Sequence, residues 1–165
     1  MKMYQLLASQ FLPTDRDTAW EFLSDPKNLQ RITPEHMGFQ IITGADRPMY
    51  AGQIIQYRLS PFPGISTTWV TEITHVNEGV YFVDEQRFGP YALWHHKHFI
   101  CPADGGVVME DVIDYKLPFG LAGHWMHSLV VKKQLRKIFE YRAEKLVALF
   151  GDKGKRKVAL KFITL

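Results

Sequence analysis

The chain has 165 residues, 46% of them apolar, which suits one domain with one sizeable core and argues against a largely disordered chain. No apolar run approaches the roughly 18–20 residues that span a bilayer, and the single cysteine, Cys101, excludes an intramolecular disulfide or a zinc–cysteine cluster. The formal net charge of +3 is uneven: residues 124–165 carry 11 Lys/Arg against 3 Asp/Glu, while residues 1–123 carry 9 against 14.

Met3–Leu12 is apolar-rich and ends at Pro13, so it is expected to be a strand; Tyr4, Gln5, Ser9 and Gln10 break up any signal-peptide core. Thr14-Asp15-Arg16-Asp17 offers caps for a short amphipathic helix through Ala19, Trp20, Phe22 and Leu23. Ser24-Asp25-Pro26 stops it, and Lys27–Arg31 is a second short helix closed by Thr33-Pro34. From Phe39 to Leu117, β-branched and aromatic residues alternate with polar ones. Strands are expected at Phe39–Thr43, Gln53–Ser60, Ser66–Asn77, Val80–Phe88, Tyr91–Cys101 and Val107–Leu117, and the short turn-forming links between them imply an antiparallel meander. Between about Gly123 and Phe150 there is no proline or internal glycine, and Val131, Leu135, Ile138, Phe139, Leu146 and Leu149 form a helical stripe. Residues 1–151 therefore read as one domain and 152–165 as a basic tail, either frayed or an extra edge strand.

The order is strand, two short helices, six strands and one long helix. This is an α+β arrangement in which a curved seven-stranded antiparallel sheet must cover its apolar face with the long C-terminal helix, and such a fold leaves a pocket at its open end.

Particular motifs carry a resemblance across residues 3–150. They are Asp25-Pro26 with Leu29 and Ile32-Thr33-Pro34, Trp69 with Ile73, Phe82-Val83-Asp84-Glu85-Gln86, and Gly89-Pro90-Tyr91. Further on stand Trp94-x-His96-x-His98, Asp111-x-Ile113-x-Tyr115-x-Leu117-Pro118-Phe119-Gly120 and Leu135-x-x-Ile138-Phe139-x-Tyr141-Arg142. With these the chain resembles the SRPBCC superfamily, the helix-grip fold of START domains, the birch pollen allergen and polyketide cyclase/dehydrase-like proteins, and most nearly its bacterial ligand-binding group. The resemblance implies binding or transport of a small hydrophobic ligand such as a lipid, polyketide, quinone or aromatic, with no cofactor, and the lone cysteine points to a reducing cytoplasm. Two alternatives stay open: a cyclase- or dehydratase-type enzyme, and a protein-interaction domain engaging a partner or a second copy through the basic end.

Alternation sharpens the candidate site. In Val107–Leu117 one face reads Val107, Met109, Asp111, Ile113, Tyr115, Leu117, apolar except for Asp111, so Asp111 should point inward. Pairing this strand with Tyr91–Cys101 across the 102–105 loop sets Trp94 opposite Ile113, His96 opposite Asp111 and His98 opposite Met109. A carboxylate beside an imidazole in a partly apolar cavity is the equipment of a general base, with Tyr115 as proton donor; it is equally a cross-strand pair that satisfies itself. His96-x-His98 with Asp111 also has metal-ligand spacing, although the fold needs no metal and none is assigned. Ligand-lining candidates are Tyr57, Trp69, Phe82, Trp94, His96, His98, Met109, Asp111, Ile113, Tyr115, Trp125, Phe139 and Arg142. Arg142 interrupts the helical stripe and is expected to meet a sheet carboxylate such as Asp84 or Glu85. Phe62, Phe119, Leu121, Trp125 and Met126 would form a lid, with His124 and His127 near the mouth. No phosphate-binding glycine loop, nucleophile elbow or nucleic-acid-recognition motif is present. The basic end reads as a solvated helix back plus an appendage rather than a nucleic-acid surface.

Overall fold

The computed structural model describes residues 2–62, 65–118, 130–152 and 158–165, without the side chain of Phe62. Strand β1 (Tyr4–Leu12) alternates buried and half-buried positions throughout, with Tyr4, Leu6, Ala8, Gln10 and Leu12 inward. Helix α1 (Arg16–Leu23) starts where Asp15 accepts from the Thr18 amide at 2.8 Å. A 3₁₀ helix over Pro26–Ile32 follows, its N-cap Asp25 accepting from the Lys27 amide at 2.9 Å. Proline at its first position loses nothing, because that N–H has no partner inside a helix. A further 3₁₀ turn, Glu35–Met37, ends at Gly38 with φ of 54°.

The sheet continues through β2 (Gln40–Thr43), β3 (Gln53–Phe62), β4 (Ile65–Asn77), β5 (Tyr81–Phe88), β6 (Leu93–Ala103) and β7 (Gly106–Lys116). Helix α2 (Lys132–Phe150) then leads to β8 (Ala159–Thr164). All eight strands form one antiparallel sheet in the order β2-β3-β4-β5-β6-β7-β1-β8. Register shifts occur twice along the β4–β5 pair and once between Leu59 and Phe62 in β3, and such irregularities increase twist and help the sheet curl.

The strand count exceeds the expected seven because Ala159–Thr164 pairs along β1 from Tyr4↔Thr164 to Ser9↔Ala159. Of the two readings of this segment, the edge strand is the one observed. Its Phe162 lies under the Lys132 ammonium and the Arg136 guanidinium, 5.4 Å from each charge to the ring centroid. Part of the basic helix back thus packs on β8 rather than standing wholly in solvent.

The β6–β7 register also corrects the expectation. The pairs are Trp94↔Tyr115, His96↔Ile113, His98↔Asp111 and Ile100↔Met109, two residues along from the predicted set. The reason is the turn: Ala103 pairs with Gly106, so only Asp104 and Gly105 form the loop, with Gly105 at φ of 74°. Asp-Gly suits the two-residue hairpin whose central residues need positive φ, and Pro102 and Ala103 remain in the strand. A shift of two keeps every side chain on its predicted face.

Helix α2 lies against the concave face, burying Leu135, Phe139, Arg142, Ala143 and Leu146. At 1.5 Å per residue its described length is about 28 Å; the expected start near Gly123 lies outside the described residues. Leu149, counted in the stripe, is instead 41% exposed. Leu135 and Phe139 pack with Leu6, Ile113 and Tyr115, and Leu146 packs with Leu12, Ala19, Ile100 and Val107. Buried Gln10 ties sheet to helix by donating from Nε2 to the Ala143 carbonyl at 3.0 Å. A third cluster, including Phe39, Ile55, Tyr57 and Ile73, occupies the β2–β4 side. No described helix is long and apolar enough to cross a membrane.

Candidate functional site

Between the β3–β6 stretch of the sheet, the 3₁₀ helix Pro26–Ile32 and α2 lies a cavity of about 490 Å³. Its wall is mainly apolar: Leu29, Met37, Phe39, Ile55, Leu59, Ile73, Leu135 and Ile138, with Tyr57, Trp69, Phe82, Tyr91, Trp94 and Phe139 supplying aromatic surface. The polar exceptions include Thr71, Asp84, His96, His98 and Arg142.

These polar groups meet because three strands run antiparallel in adjacent registers. Asp84 of β5 is directly opposite His96 of β6, and His98 of β6 is directly opposite Asp111 of β7. The closest hydrogen bonds follow the diagonals: His96 Nε2 to Asp111 Oδ1 at 2.9 Å and His98 Nε2 to Asp84 Oδ2 at 2.7 Å. The His96 and His98 rings lie 3.6 Å apart between centroids, and Phe82 stacks on His98 at 4.1 Å. From α2, Arg142 Nη1 donates to Asp111 Oδ1 at 3.2 Å, and its guanidinium carbon lies 5.7 Å from the Phe139 ring centroid. Thr71 Oγ1 donates to Asp84 Oδ1 at 3.3 Å. His98 Nδ1 is 3.0 Å from Asp111 Oδ1 but lies off the hydrogen-bonding line, so that contact is electrostatic. Among the described residues, Asp111 Oδ2 and Arg142 Nε are buried without a hydrogen-bond partner.

Burial is the largest influence on each titrating group here, and the neighbours decide where it finishes. For Asp111, burial pushes the carboxyl up, but the Arg142 charge and the contacts from His96 and His98 outweigh it, leaving Asp111 well below the ordinary range. Asp84 is also held low against burial, by His98, His96 and Thr71. For His98, burial disfavours the imidazolium, yet contact with Asp111 and Asp84 raises its pKa overall. His96 goes the other way: burial and repulsion from His98 overcome Asp111 and Asp84. The two imidazoles are thus pushed in opposite directions, His98 toward the imidazolium and His96 toward the neutral ring.

Tyr57, Trp69, Phe82, Trp94, His96, His98, Phe139 and Arg142 all line the cavity. Asp111 sits one layer behind it, 1% exposed, reaching the wall only through His96, His98 and Arg142. Met109, Ile113 and Tyr115 point inward but are covered. Tyr115 stacks on Tyr4 and is crossed by Tyr91 and Trp94, and burial raises its phenol pKa. Trp125 lies outside the described residues, as do Phe119, Leu121, His124, Met126, His127 and the Phe62 side chain. Arg142 pairs with Asp111 rather than with Asp84 or Glu85, because Asp84 is committed to the imidazoles and Glu85 faces outward to His95 and Arg87. Asp84 is missing from the expected set of lining residues, as are Thr71 and Tyr91. The signal was the strand's own alternation: Phe82 and Asp84 share a face, and Phe82 was already read as inward.

No protein-family model matches the chain, and no curated protein matches it. Solved structures do. A START superfamily protein from Mycobacterium smegmatis is 18% identical with a TM-score of 0.64, over 89% of this chain and 97% of that one. The major latex-like protein 151 of Panax ginseng is 14% identical with a TM-score of 0.66, over 90% and 97%. Protein CV1439 from Chromobacterium violaceum is 12% identical with a TM-score of 0.69, over 90% and 99%. At these identities the likeness shows the fold alone: a helix grip, a curved antiparallel sheet wrapped on a C-terminal helix.

Proposed function

We propose that this chain binds a small, largely apolar ligand between the curved sheet and α2, oriented by the polar cluster. The observation that carries this reading is the pairing of a cavity of about 490 Å³, within the range that holds drug-sized ligands, with buried polar groups confined to one part of its wall. Aromatic side chains supply flat surface for stacking, and His96, His98 and Arg142 supply hydrogen bonds to a ligand oxygen.

Proton-transfer chemistry on such a ligand is the second reading, favoured by one observation: Asp111 orients His96, which lines the cavity. Tyr115 does not supply the proton in this version, since it is packed away from the cavity.

Titration with an environment-sensitive naphthalene dye tests the binding reading. One saturable site is expected, blocked when Ile138→Trp fills the cavity and insensitive to Leu149→Trp on the exposed side of α2. Binding unaffected by Ile138→Trp in a folded variant overturns it. Native mass spectrometry of the purified protein then identifies any retained ligand, and proton exchange in that ligand, abolished by His96→Ala with binding kept, establishes the second reading.

A further inference from the structure

We infer that Asp84, His96 and His98 form a binding site for a divalent first-row transition-metal ion such as zinc, in the cavity wall. One donor atom from each falls within 4.8 Å of the others, and all three residues line the cavity. Asp84 Oδ2 is the point of convergence, 2.7 Å from His98 Nε2 and 3.7 Å from His96 Nδ1. Ligand atoms about 2.0–2.2 Å from a tetrahedral ion stand roughly 3.4 Å from one another. The two Asp84 separations therefore need adjusting by less than about 1 Å, and the separation between the imidazole nitrogens, no more than 4.8 Å, by about 1.4 Å at most, within the reach of side-chain rotation. Two imidazoles and one carboxylate, with the remaining positions open, make a common donor set for catalytic or ligand-binding ions in proteins.

What separates this trio from an ordinary cross-strand pair is the layer behind it. Histidines that bind metal are held by a carboxylate or carbonyl at the ring nitrogen facing away from the ion. Here both imidazoles present that far nitrogen to one carboxylate oxygen: His96 Nε2 is 2.9 Å, and His98 Nδ1 3.0 Å, from Asp111 Oδ1. Among the described residues His98 Nδ1 has no hydrogen-bond partner, and it is the nitrogen that would keep its hydrogen and turn it to Asp111 once the ion takes Nε2. Arg142 balances Asp111 from the helix side, so the charge of Asp84 is left for the ion. On coordination the His98–Asp84 hydrogen bond is replaced: Nε2 releases its hydrogen to solvent, and Asp84 Oδ2 and both imidazole nitrogens bind the ion. The open positions face the cavity, where a water or an oxygen of the ligand would complete the shell.

The donor trio differs from the spacing-based set in one member. Asp111, the carboxylate that spacing suggested as the third ligand, lies behind the rings, and Asp84 from the neighbouring strand takes that role. The inference does not depend on the apolar-ligand reading, because the ion is tested without one.

The experiment is titration of the metal-stripped protein with Zn²⁺ by calorimetry and with Co²⁺ by visible spectroscopy. One equivalent of each ion is expected, with the strong d–d bands of a low-coordinate cobalt site. Asp84→Asn and His98→Gln should lose the bands. Asp111→Asn, which removes only support from behind, should weaken zinc binding by about 10–100-fold. His95→Ala, on the opposite sheet face, should change nothing. Nitrogen-15 NMR of the wild-type imidazoles gives a readout free of folding artefacts: Zn²⁺ should shift His96 Nδ1 and His98 Nε2. Absence of saturable binding, an unchanged spectrum in Asp84→Asn, loss of the site in folded His95→Ala, or zinc shifts confined to other histidines would each overturn it.

Discussion

The two faces of the β5–β6–β7 stretch carry nearly the same chemistry one residue apart. On the concave side, Asp84, His96, His98 and Asp111 meet Arg142; on the convex side, Glu85, His95, Lys97 and Asp114 meet Arg87 and Gln5. Distances are alike: His95 Nδ1 stands 3.0 Å from Glu85, and His96 Nε2 stands 2.9 Å from Asp111. Surroundings are not. Outer side chains run from 49% exposed at Arg87 to 28% at Lys97 and 18% at Asp114, whereas inner ones run from 17% at Asp84 down to 0% at Asp111. Water screens the outer ladder and would solvate either partner if the other were lost. Inside, a partner's loss strands a charge. The same residue types therefore produce a solvated surface on one side and, on the other, a set of groups whose protonation and position depend on each other.

The largest effect that tests this contrast is expected from Asp111→Ala. It leaves Arg142 buried without its carboxylate and should cost about 3–5 kcal/mol in urea unfolding. A loss near the surface value would mean that the inner site is wetter than its burial indicates. Replacing both charges, as Asp111→Leu with Arg142→Met, should recover most of that loss, since the desolvation of both groups disappears with their attraction. Failure to recover would assign the loss to packing around Met109 and Phe139 instead.

Stability should follow pH through the inner face. Asp84 and Asp111 titrate below the carboxylate value of 3.8 when folded, so their contribution is complete above 3.8 and is lost as pH falls through the folded values. His98 has a folded pKa above 6.5, so its contribution is complete below 6.5 and is lost as pH rises through the folded value. His96, lowered, acts oppositely and penalises the folded state as pH falls below 6.5. Unfolding midpoints measured in metal-free buffer should fall steeply in acid for the wild type. The alkaline decline assigned to His98 should vanish in His98→Ala, and its persistence would move that proton elsewhere.

The smallest effect belongs to the outer ladder. Lys97 Nζ is 2.9 Å from Asp114, yet Lys97→Ala should cost about 0–1 kcal/mol and lose even that at high salt. A salt-insensitive loss well above this would erase the distinction between the faces.

Sequence alternation was enough to place Asp111, His96 and His98 on the concave side, because a strand's period of two survives an error of two in register. It could not determine which of them touch, since that depends on whether Pro102 and Ala103 extend the hairpin or round it off. Asp84 was legible from the same alternation but needed the β5–β6 pairing to bring it to the imidazoles. The partner of Arg142 was hidden because a helix's rotation over a sheet is set by the whole interface, Leu135 to Leu146, and not by its own stripe. The apolar alternation of Val158–Leu165 did carry the mark of a strand, but only β1's open flank makes it one.

That flank has a consequence for how the chain reaches its fold during synthesis. β1 precedes the other strands in the chain, yet its neighbours β7 and β8 begin at Gly106 and Ala159, so more than 100 residues separate Tyr4 from its nearest sheet partner, Tyr115. While the ribosome produces β2 to β6, β1 has both hydrogen-bonding edges bare, and its placement waits on contacts of high sequence separation. The meander is the part able to form early. β1 is then enclosed between the end of that meander and the later strand β8, which makes it the strand most open to capture by chaperones or by another nascent copy until Leu165 N–H reaches the Met3 carbonyl at 2.9 Å.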